Sequence, residues 1–201
     1  RPPLDDRRVR RAIRYAIDPQ KFKDLCHWGQ GTLSTSTVHP QDPYDPKFPL
    51  WVYSPEMAKA MLKEAGYEKG FELVYRVSHR YPHMVCAAEI IQSELKKVGI
   101  TVKLELMEWG DWQTKVARKK DYELSTTGYG YYGDPDDTGL VYGKDAVFNM
   151  THYDNPEVNE LLKLGRQLIS FEERYLIYHQ INRIVHHDCP LIVQIFQNNN
   201  D

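Results

Sequence analysis

Asp134, Asp136, Thr138, Gly139 and Asp145 occupy positions 1, 3, 5, 6 and 12 of a loop with the spacing that oxygen ligands take around calcium. The match is partial: position 12 is not a bidentate Glu, position 5 is Thr, and a strand pattern with Gly-rich aromatics precedes the loop where a helix should stand. Asp134-Pro135-Asp136-Asp137 serves equally as a turn or helix cap, and no metal is assigned to it. His79 and His83 are four apart, but Tyr81-Pro82 between them argues against a shared helical face and so against zinc. That stretch reads as a polar strand-to-helix loop, with ligand contact at a sheet edge as the alternative. His186-His187 ends a helix, where imidazolium suits the macrodipole, and neighbours in sequence cannot both face one metal.

Acyl and phosphoryl chemistry leave no signature. The chain has no Gly-x-Ser-x-Gly elbow, no cysteine in a recognisable catalytic setting, no Walker-type loop and no strand-linked Gly-x-Gly-x-x-Gly. No catalytic residue and no cofactor is assigned, and a hydrolase would need a site without a motif. What stands out is an aromatic concentration: Trp109, Trp112, Tyr122, Tyr129, Tyr131, Tyr132 and Tyr142. Aromatics alternating with Gly beyond a strand end make a ligand platform, with broad apolar faces and polar tips. The competing reading packs half of them on the core, with Tyr129, Tyr131 and Tyr132 expected to be exposed.

The elements that must position these residues follow from periodicity. Val9, Ala12, Ile13, Ala16 and Ile17 recur at helical spacing, so the six arginines among the first 14 residues read as the solvated face of an amphipathic helix capped by Asp5 or Asp6. Asp18-Pro19 opens a second short helix through Phe22 and Leu25, and residues 29–53, rich in Gly and Pro, read as a long loop. Ser54-Pro55-Glu56 starts a helix that Gly66 closes. Strands are predicted at 71–78, 100–107, 122–127 and 191–196, with helices through Val85 to Val98 and over 111–119. Residues 128–142 read as loop. A helix from Asn155-Pro156 turns Leu168 and Ile169 inward, and another runs from Ser170 to Pro190. Residues 197–200 read as a polar crossing or frayed end. The alternation of strand and helix predicts an α/β fold.

Composition narrows the function classes. Lys plus Arg is 26 against 28 Asp plus Glu, a net charge of −2 that disfavours a nucleic-acid surface. Mean hydropathy is −0.61 and no run reaches the ~18 apolar residues of a membrane span. Three cysteines, Cys26, Cys86 and Cys189, are too few and too scattered for a disulfide framework, and the odd count leaves at least one unpaired or pairing between chains. The start at Arg1, without Met or an apolar leader, reads as a mature form or an excised piece.

The order of motifs resembles a known family. Arg7-Arg8-Val9-Arg10-Arg11-Ala12-Ile13-Arg14-Tyr15-Ala16-Ile17-Asp18 is similar to the segment by which family 5 extracellular solute-binding proteins, the peptide and nickel receptors of ABC importers, enter their second lobe. Met57 to Tyr67 with Gly70-Phe71-Glu72-Leu73, then Ile91 to Ile100, Glu108-Trp109, and Tyr153 to Leu162 follow in family order. The resemblance implies a periplasmic binding protein type II-like lobe with a central mixed sheet and helices packed against it, residues 1–201 being the second lobe alone. It implies capture of a small-molecule or peptide ligand by lobe closure without bond chemistry, most simply of oligopeptides, with sugars or nickel chelates as the alternative. It also implies permease partners and a periplasmic or extracellular location, with any membrane tie through a lipid anchor or the permease. The family lines its cleft with Gly-Trp followed by an Asp that binds a peptide amino terminus. Here the matching stretch is Gly128-Tyr129-Gly130-Tyr131-Tyr132-Gly133-Asp134, with Tyr129 for the Trp and Tyr131 or Tyr132 at the Asp position. The implied ligand-binding residues are Trp109, Tyr129, Tyr131, Tyr132 and Asp134, with His83 at the rim.

Overall fold

The carboxylate of Asp6 accepts the Arg8 backbone N–H at 2.8 Å and starts α1 (Arg7–Ala16), whose Val9, Ala12, Ile13 and Ala16 are fully buried. Asp18 caps α2 (Pro19–Cys26) and Ser54 caps α3 (Pro55–Glu64), each with Pro in the first turn, where its missing N–H costs nothing. The computed structural model describes residues 1–192 and 194–197. They divide into two units, Arg1–Leu33 with Trp51–Gly128, and Ser34–Leu50 with Tyr129–Phe196.

The first unit is built on a parallel sheet. β2 (Phe71–Ser78) pairs with β3 (Ile100–Met107) from Phe71↔Ile100 through Ser78↔Met107, and α4 (Pro82–Lys96) supplies the crossover that parallel pairing requires. β4 (Leu124–Ser125) lies on the other side of β2, so the order is β3-β2-β4. The fold is α/β, and these three strands all run parallel where a mixed sheet was expected. Leu73, Tyr75, Val77, Ile100 and Val102 of the strands and Ala87, Ala88 and Leu95 of α4 are all buried in the core. Gly70 and Gly99 precede the two long strands at positive φ, and a Cβ on Gly70 would stand 1.9 Å from the Gly99 carbonyl oxygen. Among the buried residues is Glu94, whose carboxylate accepts from Lys21 Nζ at 2.7 Å, Lys97 Nζ at 2.5 Å and the Tyr53 hydroxyl at 2.8 Å.

The second unit packs α6 (Asp137–Tyr142), α7 (Pro156–Gly165) and α8 (Phe171–Asp188) around Val141, Tyr142, Val158, Leu162, Tyr178, Ile181 and Val185. Residues 34–50 are tied to it by side-chain bonds such as Thr37 Oγ1 to Thr138 Oγ1 at 3.1 Å.

Several expectations need correction. The long loop contains a strand, β1 (Thr32–Ser34). The helix placed at 111–119 begins earlier as α5 (Trp109–Trp112) and widens into a π-helical turn over Gln113–Arg118, which shifts its side chains out of the 3.6-residue pattern. The strand at 122–127 shrinks to β4, and the loop at 128–142 includes α6. Helix α7 stops at Gly165, leaving Leu168 half-buried and Ile169 95% exposed rather than inward. The last strand, β5 (Gln194–Phe196), is shorter than expected and belongs to the second unit; Val193 and the polar end at Asn198–Asn200 lie outside the described residues. Arg14 is buried with its guanidinium 3.9 Å from the Trp51 ring centre, so it is not part of the solvated arginine face. Cys26 and Cys86 form a disulfide between α2 and α4, a pairing that their distance in sequence had argued against, while Cys189 is a buried thiol outside that bond.

Candidate functional site

In open α/β sheets ligands gather beyond the carboxyl ends of the strands. At that edge of the first unit the chain places aromatic and titratable side chains. β2 runs into His79, whose backbone N–H donates to the Met107 carbonyl at 3.2 Å and whose Nε2 lies 3.1 Å from Glu108 Oε1. β3 runs into Glu108 and Trp109, and Trp109 stacks on Trp112 with ring centres 4.9 Å apart and planes 6° from parallel. Trp112 is buried, and its indole N–H donates to Ser125 Oγ at 3.1 Å, so the stack is anchored to β4. Tyr81 sets its edge against the half-buried Trp109 at 5.4 Å and lies 5.9 Å from the His83 ring. Three strand ends thus converge on one aromatic rank with a polar rim.

His83 is not in a loop, as the sequence reading had it. Pro82 takes the first position of α4, the one helical place where proline fits without loss, and His83 follows in that first turn. Its imidazole lies 5.6 Å from that of buried His27. Burial holds the pKa of both rings below the usual histidine value, and His83 adds to the effect on His27.

Tyr131, Tyr132 and Asp134 lie in the second unit. The Tyr131 hydroxyl donates to Asp42 Oδ2 at 2.6 Å, and its ring lies 6.0 Å from both His39 and Phe196. Burial, reinforced by the Asp42 carboxylate, pushes the Tyr131 phenol well above the ordinary tyrosine range. Tyr132 is 71% exposed, and its backbone N–H donates to Asp137 Oδ2 at 2.6 Å. Tyr129 and Tyr131 are half-buried and depart from the expected exposure: Tyr129 packs against Phe148 and the second unit's core, and Tyr131 sits against His39 and Phe196.

The acidic run is used for tying the unit together. Asp134 pairs with Arg174 at 2.8 Å, Asp136 accepts from Arg166 at 2.9 Å and from the Tyr178 hydroxyl at 3.1 Å, and Asp137 holds the Tyr132 amide. Burial would raise the Asp134 pKa, but its bonds from Arg174 and the Asp136 N–H outweigh that and hold it low. Each carboxylate has its own partner. Among the described residues no group of three or more His, Cys, Asp or Glu side chains is arranged to hold a metal ion.

Of the residues singled out in the sequence, Trp109 and His83 belong to the carboxyl edge of the first unit, and Tyr129, Tyr131, Tyr132 and Asp134 to the second. Tyr81 and His27 were missed, and Trp112, His79 and Glu108, each named in the sequence, were not assigned to the site. Their signal was positional, since His79 and Glu108 directly follow the two clearest strand patterns.

Comparison with known proteins gives these features a context. Residues 1–147 match the family described as bacterial extracellular solute-binding proteins, family 5 Middle. The chain is 32% identical over 203 residues to the heme-binding protein A of Haemophilus influenzae, covering 94% of this chain and 36% of that protein. It is 29% identical to the dipeptide-binding protein of Escherichia coli, with 95% of this chain and 37% of that one covered. Its fold superposes with a TM-score of 0.90 at 22% identity on the ABC transporter-associated periplasmic binding protein DppA of Helicobacter pylori in complex with the peptide STSA, over 98% of this chain and 40% of that one. The chain therefore spans about two-fifths of the length of the relatives it matches.

Proposed function

Because this chain belongs to the bacterial extracellular solute-binding proteins of family 5, we propose that it is the second lobe of a two-lobed receptor that captures oligopeptides for an ABC importer. The observation that carries the reading is the aromatic rank at the carboxyl edge, Tyr81, Trp109 and Trp112, bordered by His79 and Glu108. The half-buried Trp109, backed by buried Trp112, offers apolar area to a side chain of any shape, while the rim offers a carboxylate to an amino group and an imidazole to a carbonyl. Such a surface takes up peptides with broad preference and needs no nucleophile. The peptides named for the E. coli and H. pylori relatives support this ligand class.

In this reading Tyr131, Tyr132 and Asp134 are further ligand contacts. Asp134 is committed to Arg174, so Tyr131 and Tyr132 carry more of that role. Capture takes place on the outer side of the cytoplasmic membrane and ends in delivery to the importer's membrane-embedded permease subunits. A second reading, a flat macrocyclic or chelate ligand, draws on the parallel Trp109–Trp112 stack and on the heme named for the H. influenzae relative.

Titration calorimetry with di- to pentapeptides, a sugar panel, hemin and a nickel–histidine complex separates these readings. Peptides are expected to bind, to bind the full-length receptor about a thousandfold more tightly than this chain, which is ~4 kcal/mol, and to lose at least tenfold on Trp109→Ala. Binding of hemin or sugars with no peptide response refutes the oligopeptide assignment. Turnover of an ester, glycoside or peptide substrate refutes capture without chemistry.

A further inference from the structure

Two histidines meet where α2 ends against the first turn of α4. His27 is the C-cap residue of α2 and His83 stands in the first turn of α4, with their ring centres 5.6 Å apart. The Cys26–Cys86 disulfide fastens the two helices beside them, since Cys26 precedes His27 and Cys86 lies one turn beyond His83. The His83 ring also lies 5.9 Å from Tyr81, which in turn meets Trp109 edge-on at 5.4 Å. Ring contacts thus run unbroken from a buried imidazole to the half-buried indole at the carboxyl edge.

Both positions resist a positive charge. His27 is 8% exposed, and its Nε2 is buried without a hydrogen-bond partner. A charged imidazole needs an acceptor for each of its N–H groups, and none stands at that nitrogen. A proton on His83 would set a cation at the positive end of α4, where the N-cap residue Tyr81 gives no side-chain hydrogen bond to steady the turn.

We propose that His27 and His83 are positioning residues that hold Tyr81 and Trp109 in their binding arrangement only while both imidazoles are neutral, so that acidification releases the captured ligand. The inference rests on the solute-capture reading for its purpose and on these contacts for its mechanism. The disulfide keeps α2 and α4 from parting beside the pair, so repulsion between two imidazoliums is relieved through the first turn of α4, which carries His83 and begins at Tyr81. Movement of Tyr81 removes the edge support of Trp109, whereas Trp112 stays tied to Ser125.

The other charged groups of these elements are engaged elsewhere or exposed. Lys21 and Lys97 close on Glu94, Asp24 accepts from the Gln20 amide, and His79 pairs with Glu108. The Arg80 guanidinium lies 5.6 Å from the Tyr81 ring centre, and Glu89 and Asp111 are exposed. Lys23, one turn before His27, only adds like charge. Burial lowers the pKa of both imidazoles from 6.5, and the charge of His83 adds to the effect on His27, so the protons arrive in the acid range below that value.

The test follows two signals from pH 7.5 to pH 5: the assigned imidazole and Trp109 indole resonances of the isotope-labelled chain, and calorimetric binding of the peptide Ala-Phe-Ala. Both imidazoles are expected to titrate below 6.5, with the Trp109 resonance shifting at the same midpoint. The affinity for Ala-Phe-Ala should fall on the order of tenfold. His27→Gln or His83→Gln should flatten both responses, whatever affinity the variant keeps at pH 7.5. A Trp109 signal that does not follow the imidazoles, an affinity unchanged at pH 5, or variants with the parent's pH response each overturn the proposal. A chain that circular dichroism shows unfolded at pH 5 overturns it too, because the release would then not be local. If Ala-Phe-Ala fails to bind even at pH 7.5, the oligopeptide reading falls, while the Trp109 titration still decides whether the histidines position the site.

Discussion

Glu94 is 1% exposed and its carboxylate is held by two ammonium groups and a phenol, so replacing it tests how far one buried charge organises the first unit. The variant Glu94→Gln keeps the shape and removes the charge. Hydrogen bonds to a charged partner are worth ~1.5–3 kcal/mol each. The Lys21 and Lys97 side chains are 38% and 47% exposed, so water recovers much of their share once the carboxylate is gone. The net loss is then about 2–3 kcal/mol, most of it in the burial of an amide that no longer balances two cations. For a chain of this size that lowers Tm by ~5–10 °C, which thermal melts followed by circular dichroism resolve. The pH dependence supplies an independent check. Burial raises the Glu94 pKa, but the bonds from Lys21, Lys97 and Tyr53 outweigh it and set it below the usual 4.5. Its stabilisation is therefore present in full above that usual value and is lost as pH falls through the depressed one. The gap between parent and variant should be wide at pH 7 and close in strong acid. A variant within 2 °C of the parent at pH 7, or a gap that widens on acidification, refutes the reasoning.

Replacing both Cys26 and Cys86 by Ser removes a link across 60 positions and should cost ~4 kcal/mol from the unfolded chain's regained entropy, read as a lower urea midpoint that reductant no longer changes. Gly70→Ala is expected to cost ~3 kcal/mol or more because its methyl would collide with the Gly99 carbonyl, whereas Gly66→Ala, with open space around its Cβ position, should cost only the ~1 kcal/mol of a left-handed backbone; equal losses in chemical denaturation would contradict the clash. Burial pushes Tyr75 and Tyr122 up to about 12, so both should stay protonated at pH 11 in an ultraviolet titration of the folded chain. Because unfolding releases those protons above the ordinary tyrosine value of 10.0, stability should fall as pH rises past it, and a flat alkaline limb would count against their burial.

The elements most legible in the sequence were those set by local chemistry. β2 and β3 announce themselves through two-residue alternation from Phe71 and Ile100, and Ser54-Pro55 and Asn155-Pro156 cap and open their helices as side-chain hydrogen bonding requires. Elements set by tertiary contacts were not. The Pro82 ring reads as a break until the direction of the chain leaving β2 is known, and only then becomes the first residue of α4. Helix α6 is short and opens on Asp137-Thr138-Gly139, residues that favour turns unless the core holds them. Ile169 looks like a continuation of the α7 stripe, but the helix stops at Gly165, where a Cβ would stand 2.9 Å from the Tyr178 ring. The Cys26–Cys86 bond depends on α2 meeting α4, which no local pattern states. At the candidate site Trp109 was legible through its motif, while its stacking on Trp112 depended on the short helix that brings the two rings parallel. Asp134, attractive by position, proved to be engaged by Arg174 from a helix forty residues away.

Gly70 and Gly99 bring the amino ends of β2 and β3 together with no side chain to space them, which fixes both strands to one starting line. All divergence in strand length and in the turns that follow is then displaced to the opposite end, where His79, Tyr81, Glu108 and Trp109 stand. A gene under selection for a new ligand can rewrite that far end residue by residue while the register of the sheet is inherited unchanged. A protein engineer has the same freedom: randomising residues 79–83 and 108–112 samples new recognition surfaces on a sheet whose alignment was settled about 30 Å of chain earlier, by two residues with no side chains.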